Sequence, residues 1–164
     1  MTKRIAFLHH YDLAYGSGRS TQGLVSVLNE SVPDAEAIMI AGRRDGIDGE
    51  VPSVNFVSYP SGLAPFDLPL DGTMSKQEFD RYKNPFREAL EHLQRTFSPE
   101  MFVVSHGFVW GEVLRELEMP YVLHLHGTDE EVFNAADYVE LRSTQQQTVT
   151  AARGIICQSE QHKA

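Results

Sequence analysis

An α/β fold, a doubly wound and mostly parallel sheet with helices on both faces, is predicted by three observations. Short apolar runs alternate with helical patterns along the chain. The runs are continuous in hydrophobicity, as strands buried on both faces require. Three of them end in small-residue turns that lead into a helix: residues 4–10 into Tyr15-Gly16-Ser17-Gly18-Arg19, residues 101–105 into His106-Gly107, and residues 121–125 into His126-Gly127-Thr128-Asp129. In an open parallel sheet, ligands bind at the carboxyl ends of the strands, so these glycines and histidines stand where chemistry would occur.

Ile5-Ala6-Phe7-Leu8 reads as the first, central strand, and residues 17–29 as a helix with Leu24, Val25 and Leu28 on one face and Gly23 permitting close approach to the sheet. Residues 35–41 and 54–59 follow as strands, separated by a charged turn over residues 42–49. Residues 60–73 hold three prolines and two glycines among apolar side chains; Leu63, Phe66, Leu68 and Leu70 need burial, which predicts an ordered loop with a task. Ser75-Lys76-Gln77-Glu78 is a capping box, after which Phe79, Tyr82, Phe86, Leu90, Leu93 and Phe97 recur at helical spacing. Pro85 predicts a kink or split near Asn84. A strand over residues 101–104, a helix over 108–117 and a strand over 121–125 come next. Thr128-Asp129-Glu130-Glu131 is a second capping box, opening a helical region to about Ala152 with a break near Asn134 or Tyr138. Residues 154–158 form the sixth strand, and Ser159-Glu160-Gln161-His162 reads as the first turn of one more helix.

The 164 residues hold one domain, 1–164, and leave no room for a second large one. A strand and a helix start with no helix after them predict that the chain is cut from something longer. With 41% apolar and 23% charged residues the composition is that of a globular protein, and a net charge of -9 argues against a nucleic-acid surface. The first apolar run is too short for a signal peptide or a membrane span, which predicts a cytoplasmic domain. Cys157 stands alone, so neither an internal disulfide nor a cysteine metal site is available; it reads as a buried strand thiol.

Gly16-Ser17-Gly18 opens the first helix, where backbone N–H groups and the positive dipole end favour an anion such as a diphosphate; the alternative is a tight turn that only joins strand to helix. The third glycine of a dinucleotide fingerprint is replaced by Thr21, and no acidic residue ends the second strand, which argues against a dinucleotide cofactor. His9 and His10 end the first strand, His106 the fourth and His126 the fifth, so imidazoles converge on one crevice. No metal-ligand spacing accompanies them. His124 reads as a structural donor to a neighbouring carbonyl, and His126, beside a glycine and a capped helix, as functional. Asp12, Asp129 and Glu130 are candidate acids or bases, with helix capping the competing role for Asp129. Ser105-His106-Gly107 lacks the glycines of a nucleophile elbow, which leaves a serine hydrolase the weakest reading.

The strand leading to a GxGR turn, the strand ending His106-Gly107, the Met119-Pro120-bounded strand ending His126-Gly127-Thr128-Asp129, and the stretch Gly154-Ile155-Ile156-Cys157-Gln158-Ser159-Glu160 together resemble the N-terminal half of a GT-B glycosyltransferase of the retaining family 4, or group 1, type. The resemblance implies a Rossmann-like acceptor domain facing a donor domain that this chain lacks. It implies that Gly16, Ser17 and Gly18 approach the donor diphosphate and that His126 and Asp129 lie at the reacting centre. Arg19, Tyr11, Tyr15, His106 and Gly127 would bind substrate. The implied partners are a nucleotide-sugar donor, an acceptor of unstated identity and the C-terminal domain of the same polypeptide; peripheral membrane contact of the full-length enzyme is compatible, and neither metal nor other cofactor is required. As a fragment the chain would be nearly inactive. The competing class is a stand-alone sugar- or nucleotide-binding module without catalysis.

Overall fold

A computed structural model describes residues 2–10, 16–43, 51, 53–69, 74–126 and 139–157. Their order is β1 (Lys3–His9), α1 (Gly16–Ser31), β2 (Ala35–Arg43), β3 (Val54–Ser58), two 3₁₀ turns (Pro60–Gly62 and Pro65–Asp67), α2 (Lys76–Thr96), β4 (Met101–Ser105), α3 (Trp110–Glu116), β5 (Tyr121–Leu125), α4 (Val139–Ala151) and β6 (Gly154–Cys157). The six described strands form one sheet in the order β3-β2-β1-β4-β5-β6, and each adjacent pair is parallel. Chain direction along the sheet reverses at β1, whose neighbours are β2 on one side and β4 on the other. That reversal opens a crevice at the carboxyl ends of β1 and β4.

Strand alternation sorts the core onto two faces. Ala6 and Leu8 of β1 join Phe102 and Val104 of β4 and Leu123 of β5 beneath Phe79, Tyr82, Phe86, Leu90 and Leu93 of α2 and Val113 and Leu114 of α3. Phe7 points the other way, with Met39 and Ala41 of β2, against Val25 of α1. Phe86 and Trp110, both 0% exposed, meet edge to face at 4.7 Å. Burying such an aromatic contributes about 1.5–3 kcal/mol.

α2 begins as the sequence dictates. Ser75 Oγ accepts from the Glu78 N–H, and the Glu78 carboxylate in return accepts from the Ser75 N–H. Despite Pro85 the helix is continuous from Lys76 to Thr96, so no split occurs near Asn84. Pro85 removes one backbone donor, and the Phe79–Leu93 face is buried deeply enough to carry the helix through that loss.

Five further expectations change. Leu24 is 47% exposed and lies off the buried face of α1, and a Cβ on Gly23 would meet nothing within 4 Å, so Gly23 makes no close approach. Close approach falls instead at Gly42, which belongs to β2 and not to the following turn: a Cβ there would stand 2.1 Å from Tyr59 Oη and 2.2 Å from the His10 carbonyl oxygen. Leu68 of the proline-rich segment is buried but Leu63 is 38% exposed. Cys157 is half-buried, because β6 is an edge strand with Ile155 and Ile156 about half exposed. The second capping box at residues 128–131, the break near Asn134 or Tyr138, Leu70 and the helix start at 159–162 lie outside the described residues.

Candidate functional site

Three strand ends deliver five imidazoles to one place. β1 runs into His9 and His10, both 0% exposed; β4 runs into His106, 4% exposed; β5 supplies His124 and His126, half-buried. The His106 and His126 rings lie 4.4 Å apart, His10 stacks on His106 at 5.5 Å, and His9 meets His106 edge-on at 5.7 Å. His124 joins them with its ring 4.4 Å from His126, because residues two apart on a strand share a face. The same alternation was the available signal for His124 in the sequence. Among the described residues no group of three or more His, Cys, Asp or Glu side chains is arranged to hold a metal ion.

The turn after β4 is built under strain. His106 has φ +70° and Val109 φ +62°, the latter costly for a β-branched side chain. Trp110 N–H donates to the Phe108 carbonyl at 2.9 Å, closing a three-residue turn around Val109. Residues held in such regions cost about 1–3 kcal/mol each and persist only where the surroundings over-determine them. Here they do. The His106 N–H donates to the His124 carbonyl at 3.2 Å, Trp110 Nε1 reaches the His9 carbonyl at 3.4 Å, and Val109 is fully buried.

Electrostatics keep part of the cluster neutral. Burial first, then the neighbouring rings of His106 and His9, hold His10 well below the ordinary imidazole value, while a hydrogen bond to the Phe108 backbone pulls weakly the other way. A neutral imidazole offers one donor and one acceptor.

Gly16, Ser17 and Gly18 form the first turn of α1, directly after the segment that follows His10. A Cβ on Gly16 would meet nothing within 4 Å, so no close approach demands glycine there. Arg19 is exposed on the same turn. Tyr11, Asp12, Tyr15, Gly127, Asp129 and Glu130 lie outside the described residues. Ser105 is 1% exposed at the end of β4, a poor position for a hydrolytic nucleophile.

Sequence reasoning missed one buried acid. Glu112, in the first turn of α3, is 0% exposed, and neither carboxylate oxygen has a hydrogen-bond partner among the described residues. Burial raises its pKa to about 8, opposed mainly by the charge of Lys83. That lysine, itself 5% exposed, is paired with Glu116 at 2.5 Å and Asp80 at 3.2 Å. The acidic residue was visible in the sequence, but its placement on the α2-facing side of α3 depends on the strained turn before it.

No known protein family and no curated protein sequence matches the chain. Solved structures do. Sucrose-phosphate synthase from Thermosynechococcus elongatus superposes with a TM-score of 0.68 at 15% identity, over 98% of this chain and 43% of that one. UDP-GlcNAc 2-epimerase from Methanocaldococcus jannaschii gives 0.53 at 11%, over 97% and 40%. MurG from Acinetobacter baumannii gives 0.53 at 11%, over 94% and 41%. The chain spans about two fifths of the length of these enzymes. The fold is therefore that of one Rossmann-like domain of the GT-B architecture, which transferases and epimerases share.

Proposed function

We propose that this chain is the acceptor-side, N-terminal domain of a retaining glycosyltransferase, which moves a sugar from a nucleotide-sugar donor to an acceptor together with a donor-binding domain of the same polypeptide. The observation that carries the reading is the imidazole cluster at the carboxyl ends of β1, β4 and β5. It stands at the switch point of the sheet, and Gly16-Ser17-Gly18 open the helix that follows β1.

The chemistry asks for such a wall. As the nucleotide–sugar bond breaks, positive charge grows on the sugar ring and negative charge on the departing phosphate, so the protein mainly positions groups and neutralises the leaving group. Backbone N–H groups of Gly16, Ser17 and Gly18 face the diphosphate in this reading. His126 hydrogen-bonds a hydroxyl of the donor sugar, with His106 holding it in place from 4.4 Å. Asp129 is assigned to the reacting centre, and Gly127, Tyr11, Tyr15 and Arg19 to substrate, on the family resemblance alone. The cations that hold the diphosphate belong to the other domain.

Replacing His126 by Ala in the polypeptide that carries both domains tests the assignment. Turnover is expected to fall by about 100-fold, the scale of one lost transition-state donor, with the melting temperature nearly unchanged. A loss of folding in proportion to the loss of turnover would make His126 a structural residue.

A further inference from the structure

A second feature stands at the same end of the sheet, outside the imidazole cluster. The segment after β3 and the start of α2 enclose an open cavity of about 370 Å³. That volume is in the range of small-molecule sites. One wall is apolar, made by Leu63, Leu68, Pro69 and Met74; the other carries Glu78 and Arg81. The cavity is held in shape from both sides. Tyr82 Oη donates to the Leu63 carbonyl at 2.6 Å, tying the 3₁₀ segment to α2, and the capping box fixes Glu78.

The two polar side chains are left with capacity for a ligand. Both Ser75 bonds go to Glu78 Oε2, so Oε1 accepts nothing among the described residues. Those bonds, strengthened slightly by the Arg81 charge, keep the carboxylate ionised. Arg81 makes no hydrogen bond or ion pair of its own among the described residues, whereas Lys76 and Lys83 are both taken up by Asp80. An acceptor oxygen and a guanidinium fork therefore stand three residues apart on one helix face, over an apolar wall. A purely anionic ligand would meet the Glu78 charge, and a purely apolar one would leave Arg81 and Glu78 unused. Two adjacent hydroxyls on a ring satisfy both groups, one donating to Glu78 Oε1 and the other accepting from Arg81.

We infer that this cavity binds the acceptor, and that the acceptor presents a vicinal diol on a sugar or cyclitol ring whose apolar face lies against Leu68 and Met74. The inference rests on the transferase reading for the word acceptor. Phe79, next to Glu78, stacks at 5.7 Å on Phe108, two residues beyond His106, so one packed contact joins the helix that walls the cavity to the turn after β4.

Titration of the chain with myo-inositol, D-glucose and N-acetyl-D-glucosamine, followed by amide and methyl NMR shifts, tests it, with cyclohexanol as the ring that lacks the diol. At least one of the three polyols is expected to shift Leu63, Leu68 and Met74, to bind at least tenfold more tightly than cyclohexanol, and to lose at least tenfold in affinity in Arg81→Ala, an exposed substitution that leaves the core intact. Shifts absent for all three polyols, cyclohexanol binding equally well, or affinity unaffected by Arg81→Ala would each overturn it. Failure of the full-length polypeptide to transfer sugar would remove the transferase reading alone, since polyol binding in this cavity is measured without a donor.

Discussion

Two side chains are held neutral by burial, with opposite consequences for acid and base. For Glu112 the ordinary value is 4.5 and the folded value about 8. Between these the unfolded chain gives up a proton that the folded chain keeps, so its contribution to stability is complete below pH 4.5 and is lost as pH rises toward 8, at up to about 1.4 kcal/mol per pH unit. The charged groups around it are Lys83 and Asp80 on α2 and Arg115 and Glu116 on α3. Denaturant unfolding of Glu112→Gln against the parent should show the variant gaining relative stability across that window; a difference flat in pH would mean that Glu112 is ionised in the fold. His10 works the other way. Its folded value lies below the ordinary 6.5, so the unfolded chain takes up a proton first and stability falls as pH drops below 6.5. His10→Phe should lose that acid sensitivity, and an unchanged slope below pH 6.5 would remove His10 as its source.

At the scale of elements, the most constrained contact is Gly42 of β2 against Tyr59 and the backbone after β1. Gly42→Ala should destabilise the fold by about 2–4 kcal/mol, and Tyr59→Phe should not rescue it, because the His10 carbonyl oxygen 2.2 Å from the added Cβ remains. Full rescue by Tyr59→Phe would show that only the hydroxyl was in the way. At the start of α2, Ser75→Ala should cost about 1 kcal/mol in thermal or denaturant unfolding; no loss would mean that the Glu78 N–H finds another acceptor. The strands and α2 were legible in the sequence because their apolar runs, capping box and three- and four-residue spacing are local signals. Less legible were Gly23, Leu24 and Gly42. Which face of α1 meets the sheet, and where β2 ends, are decided by packing partners far away in the chain. The positive φ values at His106 and Val109 carried no local signal either, since neither residue is glycine; only the hydrogen bonds from Trp110 and to His124 make them tenable.

For the whole molecule, a sheet reversing at β1 gathers the ends of β1, β4 and β5, and that topology converts histidines spread over more than a hundred residues of sequence into one cluster. The convergence of His9, His10, His106 and His126 was readable once a parallel sheet was predicted; His124, read as a structural donor, was left out although strand alternation puts it on the His126 face. The cavity between the proline-rich segment and α2 was not, because it depends on the Tyr82–Leu63 bond between segments 19 residues apart. In the function proposed above, this domain forms one wall of a sugar-transfer cleft whose nucleotide-binding wall belongs to another domain. Calorimetric titration with a panel of nucleotide sugars, run on these 164 residues and on a polypeptide that also carries the donor domain, tests it most directly. Tight binding is expected only when both domains are present; equally tight binding by the 164 residues alone would overturn the proposal and make the chain a nucleotide-binding module in its own right.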